Sequence, residues 1–145
     1  SSIRVTMDKR PTSISIKTMP YPGFPTDMQP QMSILLALGD STGTIVETIW
    51  ESRFQYTDEL AKMGADISAH GSTAIFRGVE QLYGAPVKAH DLRAGAAMII
   101  AGLVAEGDTE VSDIHHIQRG YENIVEKFSK LGAKIDCITV EDKDE

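Results

Sequence analysis

The sequence predicts an α/β domain that is assembled from a repeated unit of helices and strands. Segments with helical periodicity alternate along the chain with short runs rich in β-branched residues, which is the pattern of an α/β fold. The same order of elements and marker residues occurs in both halves of the chain. The length of 145 residues is usual for one domain, and the apolar fraction of 41% is ordinary for a globular protein.

The expected elements follow from periodicity, turn residues and breakers. The predicted strands cover residues 3–7, 14–18, 44–49, 65–69, 73–76, 109–114 and 134–140. The predicted helices cover residues 27–38, 54–63, 91–105 and 121–131. Residues 19–26 hold three prolines and one glycine, so they are expected to form a stiff, extended loop. Gly64 occupies the position that favours glycine just after a helix.

The internal repeat is the strongest architectural observation. Asp27 and Asp91 each open a helix and lie 64 positions apart, while Arg53 and Arg119 each precede a helix and lie 66 positions apart. Each unit reads helix, strand, Arg-bearing loop, helix and strand, and such units must stack on their copies to bury a sheet face. We therefore expect residues 1–140 to form a partial domain of about two repeats that begins and stops part-way through a repeat. Residues 141–145 are expected to be an acidic tail.

Composition and charge exclude several classes of protein. The net charge of −7 argues against nucleic acid as the main partner, because binding a phosphate backbone needs a concentrated basic face. The longest apolar stretch, residues 94–105, is too short and too rich in glycine and alanine to span a membrane. The single cysteine, Cys137, excludes an internal disulfide and favours a reducing cytoplasm. It falls in an apolar, strand-like run, so we expect a buried structural thiol.

Asp27 has two interpretations on the residues alone. It can cap the following helix, or it can serve a functional site. Thr26 is a rival cap, with Gln29 completing a capping box, but Pro30 lacks the N–H that this register requires. The same proline also removes one of the two N–H groups that an Asp27 cap would normally use. Both interpretations of Asp27 therefore stay open.

Two arginines lie where an anion could bind. Arg93 falls in the first turn of a helix, where the macrodipole disfavours a cation, so an anionic partner is expected; Asp91, the predicted N-cap, could serve. Arg119 lies in a loop before a helix, where a guanidinium and free backbone N–H groups together suit an anion; a plain surface arginine is the alternative. His115 and His116 are adjacent and would point to opposite faces of a strand, so no metal site is predicted.

Four segments together closely resemble the UDP-N-acetylglucosamine enolpyruvyl transferases of early peptidoglycan synthesis. They are Tyr-Pro-Gly-Phe-Pro-Thr-Asp-Met-Gln at 21–29, Glu-Ser-Arg-Phe at 51–54, Asp-Leu-Arg-Ala at 91–94 and His-Ile-Gln-Arg-Gly-Tyr-Glu at 116–122. The similarity covers about residues 3–135, and the first segment is highly specific. The sister family, the enolpyruvylshikimate phosphate synthases, usually carries Lys-Glu-Ser-Asp-Arg, which is absent from this sequence.

The resemblance implies a fold and a reaction. The family's domains are inverted, inside-out α/β barrels of three repeats with helices packed inside, and this chain would supply about two repeats. The reaction adds the 3′-hydroxyl of UDP-N-acetylglucosamine to C2 of phosphoenolpyruvate and then expels phosphate, with no cofactor. Such chemistry needs a base near the hydroxyl, an acid for the methylene carbon and cations for the carboxylate and phosphate.

The resemblance also implies roles for single residues. Asp27 matches the residue that contacts the sugar hydroxyl and is the expected base. Ile49 matches a position whose backbone binds the sugar nucleotide, and Arg93 and Arg119 match arginines that face phosphoenolpyruvate. Arg53 is expected to be mainly structural.

The resemblance further implies that parts of the active site lie outside this chain. The family's proton-donor cysteine loop, its N-terminal lysine and the main uridine contacts belong to the other domain, so the expected partner is the N-terminal part of the same protein. Two alternatives stay open. One is an enolpyruvyl transferase that uses another acceptor alcohol, and the other is a non-catalytic binding or assembly module of the same fold.

Overall fold

A computed structural model describes residues 1–141 of the chain. The strands are β1 (Ser15–Lys17), β2 (Thr42–Val46), β3 (Asp66–His70), β4 (Thr73–Arg77), β5 (Pro86–Lys88) and β6 (Glu110–Ser112). The helices are α1 (Gln29–Ala37), α2 (Tyr56–Lys62), α3 (Leu92–Val104), α4 (His115–Gln118) and α5 (Ile124–Lys130). A single 3₁₀ turn, Thr26–Met28, leads into α1. The predicted α/β class is confirmed.

The first sheet has four strands in the order β1-β2-β4-β3. β1 pairs with β2 in parallel, with Ile16 opposite Ile45, and α1 provides the crossover between them. β3 and β4 form an antiparallel hairpin that adds to β2, with Ile45 opposite Ala74. Side chains of a strand alternate between its faces, and Ile45, Ala74 and Phe76 all lie buried in the core.

The second sheet repeats the parallel part of the first. β5 pairs with β6 in parallel, with Val87 opposite Val111, and α3 is the crossover. α1 and α3 pack against each other, so the two β–α–β units share one hydrophobic core. The parallel β–α–β part of the predicted internal repeat is therefore present in both halves of the structure.

Several predicted local features are confirmed. The helices predicted at 27–38, 54–63, 91–105 and 121–131 correspond to α1, α2, α3 and α5, each with shifted ends. The hairpin predicted around residues 70–72 is formed by β3 and β4, and its Gly71 has a φ of 59°. Gly64 follows α2 with a φ of 94°, in the left-handed conformation that ends a helix at low cost.

The strands predicted at residues 3–7 and 134–140 are wrong. Neither segment is assigned as a strand, and Ile3, Val5 and Val140 are exposed to 93%, 86% and 68%. A strand needs a neighbour for its backbone N–H and C=O groups, and within residues 1–141 no strand pairs with either segment. Cys137 is exposed for the same reason, which corrects the prediction of a buried thiol.

Two elements were not predicted. β5 is only three residues long and begins with proline, and it is held by its pairing with a strand more than 20 positions away. α4 is a single turn between β6 and α5. Among residues 1–141, no helix has the length and apolar character needed to cross a membrane. Except for Glu141, the predicted acidic tail at 141–145 lies outside the described residues.

Candidate active site

Asp27 does not cap a helix. It lies inside the 3₁₀ turn, while Met28 precedes α1 and Pro25 precedes the turn, and neither makes a side-chain cap hydrogen bond. The Thr26 capping box is also absent, because the Thr26 hydroxyl donates to Glu47 instead. The Asp27 side chain is 60% exposed, and its Oδ1 lies 2.7 Å from Nε of Arg93. The capping interpretation of Asp27 is therefore wrong, and its carboxylate stands in an ion pair at the surface.

Arg93 is positioned by the start of α3. Asp91 is the N-cap of this helix, as predicted, and its Oδ1 accepts hydrogen bonds from the backbone N–H groups of Arg93 (2.9 Å) and Ala94 (2.8 Å). The cap fixes the backbone from which the Arg93 side chain extends. The anionic partner of the guanidinium is Asp27 of the other repeat rather than Asp91.

One missing N–H explains why Asp27 is available for this pair. Pro30 lies 64 positions before Ala94, so it is its counterpart in the repeat. Ala94 donates a backbone N–H to the capping carboxylate, whereas proline has no N–H to donate. An Asp27 cap would thus keep only one of the two bonds that Asp91 makes, and the carboxylate is free to accept the guanidinium instead.

Arg119 lies beside the first turn of α3. It follows α4 directly, so the predicted location at the N-terminus of a helix is wrong; α5 begins only at Ile124. The next residue, Gly120, packs against Leu92 so closely that a Cβ at this position would collide with the leucine side chain. This contact brings the chain at Arg119 next to the residue before Arg93. Among residues 1–141, the exposed Arg119 side chain makes no hydrogen bond or ion pair.

Ile49 lies just beyond β2, where the chain leaves the sheet. Its side chain is 38% exposed, and its backbone N–H donates a long hydrogen bond of 3.4 Å to Oε2 of Glu47. Glu47 also accepts the Thr26 hydroxyl, so one carboxylate contacts both the segment before Asp27 and the chain at Ile49. Glu47 was not among the site residues predicted from the sequence. Alternation along the strand could have found it, because Glu47 follows the buried Gly43 and Ile45 on the inward face.

A small polar cleft lies between the starts of α1 and α3 and the loop before α2. Its volume is about 90 Å³, and its lining residues include Pro30, Arg53, His90 and Asp91. The Arg53 guanidinium lies 5.3 Å from the centre of the Trp50 ring, an attractive cation–π geometry that supports the predicted structural role. Within residues 1–141, no group of three or more His, Cys, Asp or Glu side chains is arranged to hold a metal ion.

The two halves of the chain are joined by a second buried carboxylate. Glu59 of α2 is 4% exposed and accepts hydrogen bonds from Lys62 Nζ (2.9 Å) and the backbone N–H of Lys88 (3.1 Å), and its Oε1 lies 3.2 Å from His90 Nε2. Burial alone would raise the pKa of Glu59, but the hydrogen bonds from Lys62, Lys88 and His90 together outweigh burial and hold this pKa below its usual value. Glu59 therefore ties α2 to β5 and to the residue before the Asp91 cap.

The sequence is similar to known enolpyruvyl transferases along most of its length. The family model described as EPSP synthase (3-phosphoshikimate 1-carboxyvinyltransferase) matches residues 1–128. The chain is 54% identical over 134 residues to UDP-N-acetylglucosamine 1-carboxyvinyltransferase 3 of Symbiobacterium thermophilum, covering 92% of this chain and 32% of that protein. It is 61% identical over 121 residues to the UDP-N-acetylglucosamine 1-carboxyvinyltransferase of Clostridium botulinum, covering 83% of this chain and 29% of that protein.

The fold is also that of a solved enolpyruvyl transferase. The enolpyruvyl transferase NikO from Streptomyces tendae superposes with a TM-score of 0.78 at 31% identity, covering 86% of this chain and 29% of that chain. The predicted fold, part of an inside-out α/β barrel of this type, is thus confirmed. The chain spans about a third of the length of the curated relatives it matches. It belongs to the EPSP synthase (3-phosphoshikimate 1-carboxyvinyltransferase) family.

Proposed function

We propose that this chain is part of an enzyme that transfers the enolpyruvyl group of phosphoenolpyruvate to the 3′-hydroxyl of UDP-N-acetylglucosamine. The names and identities of the curated relatives support this choice of acceptor. In the reaction the hydroxyl oxygen bonds to C2 of phosphoenolpyruvate and loses its proton to a base, while the methylene carbon gains a proton from an acid. Loss of a proton from that carbon and of phosphate from C2 then restores the double bond.

The observation that carries the proposal is the pairing of Asp27 with Arg93. A carboxylate that is 60% exposed and held by a guanidinium at 2.7 Å is accessible to a substrate hydroxyl while its orientation is fixed. A base must come within hydrogen-bonding distance of the proton that it removes, and a fixed, exposed carboxylate meets this need. Asp27 is therefore our proposed base.

The two arginines supply the positive charge that the other substrate needs. Phosphoenolpyruvate carries a carboxylate and a phosphate, and a guanidinium binds either with two parallel hydrogen bonds. The residues next to them in sequence, Gly120 and Leu92, are in contact, which supports a shared role of Arg93 and Arg119 in binding phosphoenolpyruvate. The backbone at Ile49, beside the segment that carries Asp27, is our proposed contact for the sugar nucleotide.

The chain alone is proposed to be inactive. Residues 1–140 are proposed to be a partial domain, and the rest of the protein to be the partner that supplies the acid and the further substrate contacts. No cofactor, nucleic acid or membrane takes part in the proposed function, and the proposed location is the cytoplasm, where both substrates occur as soluble metabolites.

Phosphate release from phosphoenolpyruvate by the full-length protein tests the proposal. We expect release with UDP-N-acetylglucosamine as the acceptor and none from the 145-residue chain alone. Release with shikimate 3-phosphate instead would assign the other acceptor, which the description of the matching family model names. Release with neither acceptor would refute the catalytic proposal and favour a binding or assembly module.

A further inference from the structure

Glu47 is a buried carboxylate that no predicted role explains. Its exposed fraction is 3%, and it follows Val46, the last residue of β2, at the edge of the hydrophobic core. Among residues 1–141, no lysine, arginine or histidine forms an ion pair with it. Burying a carboxylate without a cation costs free energy, which hydrogen-bond donors must offset. The donors that contact Glu47 therefore indicate its role.

The compensating donors come from two segments that are distant in sequence. The hydroxyl of Thr18, the residue after β1, donates to Oε2, and the hydroxyl of Thr26, just before Asp27, donates to Oε1. Thr18 is itself fully buried, and its hydroxyl accepts the backbone N–H of Thr48 at 2.8 Å. In both bonds the threonine hydroxyl is the donor and a carboxylate oxygen of Glu47 is the acceptor.

These bonds close the Pro-rich loop at both of its ends. Thr18 and Thr26 are the residues between which this loop runs, and Glu47 contacts both. The backbone N–H of Ile49 reaches the same carboxylate at 3.4 Å. A single side chain thus connects the start of the loop, its end beside Asp27 and the chain at Ile49.

We propose that Glu47 is a positioning residue, whose buried carboxylate holds the Asp27 segment and the chain at Ile49 in one fixed geometry for the acceptor substrate. The proposal rests on the proposed function, because Asp27 and Ile49 are the residues that it assigns to the acceptor. Glu47 lies beneath the surface and acts through Thr26 and Ile49. A hydrophobic residue would fill the same inward position as Ile45 does, but it could not accept either hydroxyl.

The geometry predicts a specific kinetic pattern in the full-length protein. Glu47→Ala removes both acceptors, so we expect kcat to fall by about tenfold to a hundredfold, the scale of a small misplacement of a reacting group. The KM for UDP-N-acetylglucosamine should rise. The KM for phosphoenolpyruvate should stay near the parent value, because α3 and its Asp91 cap hold Arg93 independently.

Thr26 allows one arm of the network to be tested by itself. Thr26→Val removes the hydroxyl while it keeps the shape, and we expect kcat to fall about tenfold, as for the loss of one hydrogen bond to a charged group. Thr26→Ser keeps the hydroxyl and should restore most of kcat. Thr44→Val is the matched control: Thr44 lies on β2, the strand that Glu47 follows, and its hydroxyl donates to Ser15 of β1, away from the loop.

Amide hydrogen exchange gives a measurement that needs no substrate. The N–H groups of Met19, Gly23 and Met28 are hydrogen-bonded within the loop or at the turn that follows it. Their exchange should speed up about tenfold or more in Thr26→Val and Glu47→Ala, and not in Thr44→Val. A parent without transferase activity would refute the proposed function, while this exchange would still test whether Glu47 holds the loop.

Two outcomes would overturn the proposal. One is parent-like exchange at the three amides together with parent-like kinetics in Thr26→Val and Glu47→Ala. The other is a kinetic loss that Thr26→Ser does not restore and that Thr44→Val also causes, because this would mean a general weakening of the sheet.

Discussion

Each half of the chain contains one parallel β–α–β unit, and the halves differ in the elements that follow this unit. In the first half, β1–α1–β2 continues into α2 and a hairpin that adds to the same sheet. In the second half, β5–α3–β6 continues into α4 and α5, but residues 134–140 pair with no strand among residues 1–141. The repeated sequence therefore specifies the parallel unit, while a strand that follows it forms only where a neighbour offers its backbone groups.

The same comparison at a single position separates two uses of aspartate. The Asp91 carboxylate accepts hydrogen bonds from two backbone N–H groups of its own helix, whereas the carboxylate of Asp27, its counterpart, pairs with the Arg93 guanidinium. The difference follows from Pro30, which has no N–H where Ala94 has one. A repeated aspartate thus caps a helix in one half, and in the other it forms an exposed ion pair where we propose that it acts as the base.

The largest expected effect separates these two aspartates by activity. In the full-length protein, Asp27→Asn should lower kcat by about a hundredfold or more, because an amide cannot take up the hydroxyl proton. Asp91→Asn should leave kcat near that of the parent, because asparagine is an equally good N-cap. Steady-state phosphate release measures both. Near-full activity of Asp27→Asn, with a loss of stability in Asp27→Ala, would mean that Asp27 is a structural residue after all.

Glu59, which connects α2 of the first half to Lys88 and His90 of the second, is expected to contribute strongly to stability. Glu59→Gln should lower the free energy of unfolding of the full-length protein by about 2 kcal/mol, because the buried side chain loses charged hydrogen bonds. The exposed pair of Glu126 and Lys130 (2.7 Å) provides the control, and Glu126→Gln should cost only a few tenths of a kcal/mol. Urea denaturation measures both values.

The lowered pKa of Glu59 gives the pH dependence of this contribution. A carboxyl whose pKa is lower in the folded state than in the unfolded state stabilises the fold fully above the unfolded pKa, about 4.5 for this side chain. The contribution is lost as the pH falls through the folded pKa. The difference in stability between the parent and Glu59→Gln should therefore be constant near neutral pH and shrink below about pH 4. A difference that grows in acid would contradict the assignment.

The two repeated arginines should differ in their effect on one substrate. Arg119→Lys should raise the KM for phosphoenolpyruvate about tenfold, because a point charge cannot replace a planar fork of donors, and Arg119→Ala should be at least as impaired. Arg53→Lys keeps a cation over Trp50 and should change this KM little. Unchanged KM and kcat in both Arg119 variants would leave Arg119 as an ordinary loop residue.

The smallest effect concerns the helix cap alone. Asp91→Ala should lower stability by about 1 kcal/mol, the usual cost of losing an N-cap, and Asp91→Asn should not. Asp27→Ala should lower it by less, because the Asp27 pair is largely exposed. A thermal melting series on the three variants would decide whether the two aspartates differ as their contacts predict.

Local signals predicted most of the fold. Helical periodicity and breakers located α1, α2, α3 and α5, and the turn at Gly71 located the hairpin. The wrong and missing strand predictions fall where pairing between distant segments decides whether a strand forms. β5 forms because β6 lies beside it and pairs with it. Residues 3–7 form no strand because no strand among residues 1–141 lies beside them. No local pattern distinguishes these two cases.

The candidate site was predicted in part. Its residues were found through resemblance and the repeat, and the N-cap at Asp91 followed from the sequence pattern. The pairing of Asp27 with Arg93 could not be predicted, because it joins two helix starts 66 positions apart. Glu47 was missed because a carboxylate in a strand is normally read as solvent-facing. Alternation along the strand marks its inward position, whereas its two threonine donors come from segments that meet it only in the folded chain.

The exposed segment at residues 3–7 has a consequence for the handling of the isolated chain. Ile3, Val5 and Met7 are exposed to 93%, 86% and 68%, beside backbone groups that no strand pairs within residues 1–141. Exposed apolar side chains beside unpaired backbone N–H and C=O groups favour strand pairing with a similar segment, including the same segment of another copy. The isolated chain should therefore self-associate as its concentration rises. The resulting increase in light scattering would come from residues 3–7 and not from unfolding of the core.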